Sequence, residues 1–267
     1  MILSGMLPLP IFNFGDSNSD TGGKAAAFYP LNPPYGETFF HRSTGRYSDG
    51  RLIIDFIAES FNLPYLSPYL SSLGSNFKHG ADFATASSTI KLPTTIIPAH
   101  GGFSPFYLDV QYSQFRQFIP RSQFIRETGG IFAELVPEEY YFEKALYTFD
   151  IGQNDLTEGF LNLTVEEVNA TVPDLVNSFS ANVKGGKYNF SVAAPCGDTV
   201  TADDGTKIVV GSCACPSVRV NWDGVHYTEA ANEYFFDQIS TGAISDPPVP
   251  LNMACHKTES LRTLASI

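Results

Sequence analysis

Charge is scarce in this sequence, and positive charge scarcer still. Charged residues make up 16% of the 267, and 16 Lys plus Arg stand against 28 Asp plus Glu, for a net charge of −12. A surface field of that sign repels phosphate backbones and anionic headgroups, so no nucleic-acid partner is expected. Long apolar runs are lacking as well. No stretch approaches the roughly 18 residues needed to span a bilayer, so no transmembrane segment is expected. The opening MILSGMLPLP, without a basic region and with two prolines, does not read as a signal peptide. Cysteine is confined to Cys196, Cys213, Cys215 and Cys255, all in the last third. They show no paired C-x-x-C spacing and no neighbouring His pattern, so neither a metal site nor any other cofactor is expected. Gly-x-Ser-x-Gly, the nucleophile elbow of the α/β-hydrolase fold, is absent and disfavours that fold. No internal repeat is present.

What is present is core material: 43% hydrophobic residues, with 22 Phe and 13 Tyr. That is ample for one large α/β domain, and residues 1–267 are read as a single one with a Pro-rich tail from about residue 245. PIFNFGDS (residues 10–17) is a short apolar run ending in polar residues, as a buried parallel strand would be. DGRLIIDFIAESF follows with apolar residues at helical spacing, Asp49 as its expected N-cap and Pro64 as its stop. ADFATAS (81–87) is a second strand candidate, followed by the long loop PTTIIPAHGGFSP, and ALYTFDIGQND (145–155) contains a third. Helical spacing marks VQYSQFRQFI, PEEYYFEKAL and VEEVNATVPDLVNSFSANV, the last interrupted at Pro173. GGKYNFSV and TKIVVGSC are short and strand-like, and TEAANEYFFDQIS is a helix with Gly242 just beyond it.

Four blocks carry polar chemistry in order: FGDSNSD (14–20), ADFATAS, DIGQND (150–155) and WDGVHYT (222–228). A hydroxyl nucleophile needs a base, the base needs an orienting group, and a developing oxyanion needs donors. Ser17, where a buried strand ends beside Gly15, is the candidate nucleophile, although Gly-Asp-Ser is also ordinary turn chemistry. Asp223 and His226 form a compact pair in which the carboxylate can hold Nδ1 and leave Nε2 free for the Ser17 proton; a surface His beside a solvated Asp is the plainer alternative. Asn154 offers an amide donor, or a turn. His41, His79, His100 and His256 are read as structural or exposed. Phe103, Phe106 and Tyr107 either shape a pocket or belong to the core.

These blocks, together with PYGETFFHRSTGRYSDGRLIIDFIAE, SPFYLDVQYSQF, YFEKALYTFDIGQNDLT and NWDGVHYTEAAN, resemble the plant GDSL-type esterases and lipases of the SGNH hydrolase superfamily. The resemblance implies an α/β, three-layer αβα fold with a parallel sheet. It also implies ester hydrolysis by the triad Ser17, Asp223 and His226, with Ser17, Ser87 and Asn154 lining the oxyanion hole. No cofactor is implied, and the substrate is a small ester, whether lipid, acetylated sugar or small acyl ester. Ser87 stands where the family carries a glycine; an amide N–H survives that replacement. A secreted glycoprotein is also implied, in keeping with the sequons at Asn162, Asn169 and Asn189, and Cys196 could pair with Cys213.

One departure is large. Between residues 178 and 185, NSFSANV runs directly into KGGKYNFSV, two stretches that similar proteins keep far apart. The sheet is therefore expected to lack its fourth and fifth strands, each βαβ unit needing roughly 30 residues or more. The third strand then becomes an exposed edge, and the His226 segment loses its usual platform. The alternative to an active esterase is an inactive family member serving as a binding or defence glycoprotein, or a truncated, non-functional isoform.

Overall fold

The computed structural model describes residues 10–96, 102–180, 198–201, 207–210, 220, 222–223 and 225–253. The four cysteines, Asn189, His100, His256, the strand candidate GGKYNFSV and the 181–185 part of the junction lie outside the described residues. In chain order the main elements are β1 (Ile11–Gly15), α1 (Gly23–Ala27), α2 (Ile53–Ser60), β2 (Gly80–Asp82), α3 (Leu108–Thr128), α4 (Tyr141–Lys144) and β3 (Leu146–Asp150). They continue with α5 (Gln153–Asn162), α6 (Val165–Ser180), β4 (Asp198–Thr201), β5 (Lys207–Val210) and α7 (Glu229–Thr241).

Every residue of β1 is buried, because it is the centre of a three-stranded parallel sheet of order β2-β1-β3. Alternation along the strand divides its side chains between two layers. Phe12 and Phe14 enter a cluster with Phe83 and with Leu108, Phe115 and Phe118 of α3. Ile11 joins Leu52, Ile54, Ile57 and Ala58 on the other side, where α7 packs against α2. Helices thus cover both faces of a parallel sheet, the expected αβα layering reduced to three parallel strands. Phe14 stacks between Phe83 at 5.3 Å and Phe149 at 4.9 Å, an aromatic tie across the sheet. β4 and β5 form a separate antiparallel pair, in register from Asp198↔Val210 to Thr201↔Lys207. Among the described strands, β3 is one edge of the sheet, and its side chains are half-buried or exposed where those of β1 are fully enclosed.

Five local expectations change. ADFATAS is mostly loop: only Gly80–Asp82 pairs, because the Asp82 carboxylate accepts from Ala84 N at 3.0 Å and turns the chain. Asp49 does not cap α2. Leu52 is the N-cap, its N–H donating to Asp55 Oδ2 at 2.9 Å, and Asp49 Oδ1 instead accepts from Glu229 N at 2.7 Å at the start of α7. PEEYYFEKAL yields only the short α4, since Ala145 is already extended on entry to β3. α6 passes through Pro173 without a break, on an exposed face where water can satisfy the carbonyl that proline leaves free. Asn154 lies in the first turn of α5 rather than at a strand end. The C-terminal helix forms as read, with Thr228 Oγ1 accepting from Ala231 N at 3.2 Å and Gly242 closing it in the left-handed conformation.

Candidate active site

Ser17 follows β1 on a loop fastened at several points. Gln111 of α3 brackets Gly15, its Oε1 accepting from Gly15 N at 2.9 Å and its Nε2 donating to Gly15 O at 2.8 Å. Asp16 N donates to Asp150 O at 3.0 Å, which ties the loop to the end of β3. Gly15 is required by proximity rather than by a sharp turn. A Cβ there would lie 2.3 Å from Asp150 O and 2.4 Å from Ser19 Oγ. Ser17 itself is only 4% exposed, and its Oγ makes no hydrogen bond among the described residues.

Asp223 and His226 are joined as their spacing suggested. His226 Nδ1 lies 2.6 Å from Asp223 Oδ2, and Asp223 Oδ1 accepts from the N–H groups of Val225 at 3.1 Å and His226 at 2.9 Å. The Tyr35 hydroxyl donates to Asp223 Oδ2 at 2.6 Å. Burial acts to raise this carboxyl, but the charge and hydrogen bonds of His226 and the Tyr35 hydroxyl outweigh it and hold Asp223 well below the usual carboxylate range. With the carboxylate engaging Nδ1, Nε2 is the ring nitrogen left to face a nucleophile. No hydrogen bond joins Ser17 to His226 among the described residues.

Among the described residues, the platform under this pair is the segment 35–51. Trp222 is buried against Tyr35, the Tyr47 ring lies 5.1 Å from the His226 ring, and Trp222 N donates to His226 O at 2.7 Å. Further along, Arg51 Nη2 pairs with Glu229 Oε1 at 2.6 Å, and Asn232 Nδ2 donates to Arg51 O at 2.9 Å.

Ser87 sits in the left-handed region at φ 65°, the conformation a glycine adopts without strain. The backbone has therefore kept a glycine geometry with a serine in place. Neighbouring groups converge on this loop: Asn154 Nδ2 donates to Ser88 O at 2.9 Å, and the Asp155 carboxylate accepts from Ile90 N at 2.9 Å. One Asn154 N–H is thus committed to the loop, while the amide carries a second. Asp20, buried, accepts from Gly22 N at 2.8 Å, from Gly23 N at 2.5 Å, from Lys24 N at 3.1 Å and from Ala86 N at 2.7 Å. Lys24 Nζ donates to Ser87 Oγ at 2.7 Å.

The surroundings are acidic and dry. Burial pushes the Asp82 carboxyl up to about 7 and Asp150 up to about 6, and it raises Asp16 and Asp20 as well. Among the described residues, no group of three or more His, Cys, Asp and Glu side chains could hold a metal ion, and no helix is long and apolar enough to cross a membrane. Asn162 and Asn169 are exposed.

Tyr35, Gln111, Asp155 and Lys24 escape a reading based on motifs. Asp155 had a visible signal, being the last residue of its own block. Gln111 and Tyr35 had none, since each sits in a segment whose periodicity or composition explains it without reference to a site.

A parallel sheet between helical layers, its central strand running into Gly-Asp-Ser, is the architecture of the GDSL/SGNH class, in shortened form. The chain belongs to the GDSL-like Lipase/Acylhydrolase family, whose profile matches residues 11–204. It is 71% identical to a protein named Esterase from Hevea brasiliensis over 357 aligned positions, covering 96% of this chain and 91% of that one. It is 44% identical to GDSL esterase/lipase ENOD8 of Medicago truncatula, covering 92% and 90%, and 40% identical to GDSL esterase/lipase ACHE of Zea mays, covering 92% and 88%. The family and these relatives make the chain a member of a group of plant ester hydrolases.

Proposed function

We propose that this chain hydrolyses carboxylic esters with Ser17 as nucleophile. His226 takes the Ser17 proton at Nε2 as the hydroxyl attacks the acyl carbon and returns it to the leaving alcohol. Asp223 holds the imidazole at Nδ1 and offsets the positive charge that forms on it. The amides of Ser17 and Ser87, with Asn154 Nδ2, receive the oxyanion. A water activated by the same histidine then releases the acid. The observation that carries this reading is the 2.6 Å contact between Asp223 Oδ2 and His226 Nδ1, which fixes the ring with its other nitrogen free. A shift of about 1 Å at such a centre costs about a hundredfold in rate, so the fastening of the Ser17 loop by Gln111 and Asp150 supports the same reading.

The test uses a short-chain chromogenic ester. Hydrolysis by the purified chain, lost in Ser17→Ala with an unchanged melting transition, is the expected result; equal rates in both proteins refute the mechanism. The substrate is a small ester, and the exposed sequons Asn162 and Asn169 support a secreted, glycosylated protein. An internal shortening, which the junction in the sequence puts near residues 178–185, agrees in extent with the alignment to the Hevea protein, which spans 357 positions although this chain has only 267 residues. A second reading, an inactive family member with a binding role, draws on the missing Ser17–His226 hydrogen bond among the described residues. A cooperative melt without labelling by a fluorophosphonate probe favours it.

A further inference from the structure

Ser87 is an anomaly with a partner. A side chain at φ 65° is strained, and at a position whose amide faces an oxyanion it also intrudes on the space that a glycine leaves open. In this chain the Ser87 hydroxyl is not loose: Lys24 Nζ donates to Oγ at 2.7 Å. Lys24 is itself buried on α1, immediately after the nucleophile loop. One carboxylate oxygen sets the spacing between the two residues, because Asp20 Oδ2 accepts from both Lys24 N at 3.1 Å and Ala86 N at 2.7 Å. The backbones of residues 24 and 86 thus hang from a single atom, and the Lys24 side chain closes the ring at residue 87.

We infer that Lys24 is a positioning residue which draws the Ser87 side chain toward α1, keeping the Ser87 amide open to the oxyanion that a glycine would serve unaided. The inference rests on the esterase reading above. Its chemistry is simple. A buried ammonium needs an acceptor, the Ser87 hydroxyl provides one, and the pairing orients a side chain that otherwise has three staggered positions to choose from. Without the ammonium, Ser87 Oγ is free to turn into the cleft or to compete for Ser88 O, the acceptor that holds Asn154.

The test is a cycle of Lys24→Met, Ser87→Gly and the double variant, run beside Ser17→Ala on the same chromogenic ester, with melting curves and fluorophosphonate labelling mapped by mass spectrometry. Lys24→Met is expected to lower kcat about tenfold with KM changed less than about threefold, since the oxyanion is met chiefly in the transition state. In the Ser87→Gly background the same Lys24→Met change is expected to alter kcat less than about twofold, because the side chain that needed restraint is gone. A purely structural lysine costs the same in both backgrounds. If Lys24→Met melts too low to assay, Lys24→Gln takes its place in both backgrounds. Equal losses from the Lys24 change in the two backgrounds overturn the inference, as does labelling of Ser87 that survives Ser17→Ala. In each of those results Ser17-dependent hydrolysis by the parent chain leaves the esterase reading standing. Absence of Ser17-dependent hydrolysis removes both.

Discussion

Tyr35 and His226 meet on one atom. The Tyr35 hydroxyl and His226 Nδ1 each lie 2.6 Å from Asp223 Oδ2, so a residue from the loop before α2 and a residue 191 positions later share a single carboxylate oxygen. Asp223 is thereby held between the Tyr35 phenol, its hydroxyl pushed well above its usual range by burial and by Asp223 itself, and the imidazole of His226. The pair is oriented from outside the motif that contains it.

Tyr35→Phe removes one of the donors to Asp223 while preserving the ring that packs on Trp222. A hydrogen bond to a charged group is worth about 1.5–3 kcal/mol, and that loss of unfolding free energy is expected in urea titration. Ester hydrolysis by the variant is expected to fall as well, through looser orientation of His226. Unaltered stability and rate would show that the phenol only fills space.

Arg46 and Asp55 form the buried ion pair beneath the 35–51 platform. Arg46 Nε and Nη2 reach the two carboxylate oxygens at 2.7 Å each, and Asp55 Oδ2 also accepts from Leu52 N. Asp55→Ala leaves the guanidinium buried without its partner and opens the first turn of α2. A loss of about 3–5 kcal/mol is expected, measured by denaturant unfolding, and a change below about 1 kcal/mol would contradict it.

Stability is expected to fall as pH rises from about 4 to about 7. Burial raises Asp82 to about 7 and Asp150 to about 6, so in that window the folded protein retains protons that the unfolded chain has already released. With more protons bound in the native state, unfolding free energy decreases with pH until both groups have ionised. Asp223, held low, acts in the opposite sense, but its stabilisation is lost only as pH falls below the usual carboxylate range. Melting temperatures at pH 5 are therefore expected to exceed those at pH 7.5; the reverse order would mean that these carboxyls are ionised well below their expected range.

Much of the scaffold could be read from local pattern. The apolar run at Ile11 became β1, the spacing of Ile53, Phe56 and Ile57 became α2, and Thr228 and Gly242 marked both ends of α7. Such features depend on neighbours within a few residues, which is the range over which periodicity and capping act. Asp49 failed for the same reason. Its carboxylate was judged against the helix next to it in sequence, whereas the donor it serves, Glu229 N, lies 180 positions away.

The order of the four blocks, the Asp223–His226 spacing and the sequence resemblance together determined the family and the candidate residues. Only the tertiary structure decided what surrounds them: that segment 35–51 carries the His226 loop, that Gln111 brackets Gly15, and that Ser87 keeps a glycine's backbone with Lys24 holding its hydroxyl. Those facts arise from side chains far apart along the chain meeting in a water-poor interior. There an unpaired polar group is costly, and the partner that satisfies it is fixed by packing rather than by position in sequence.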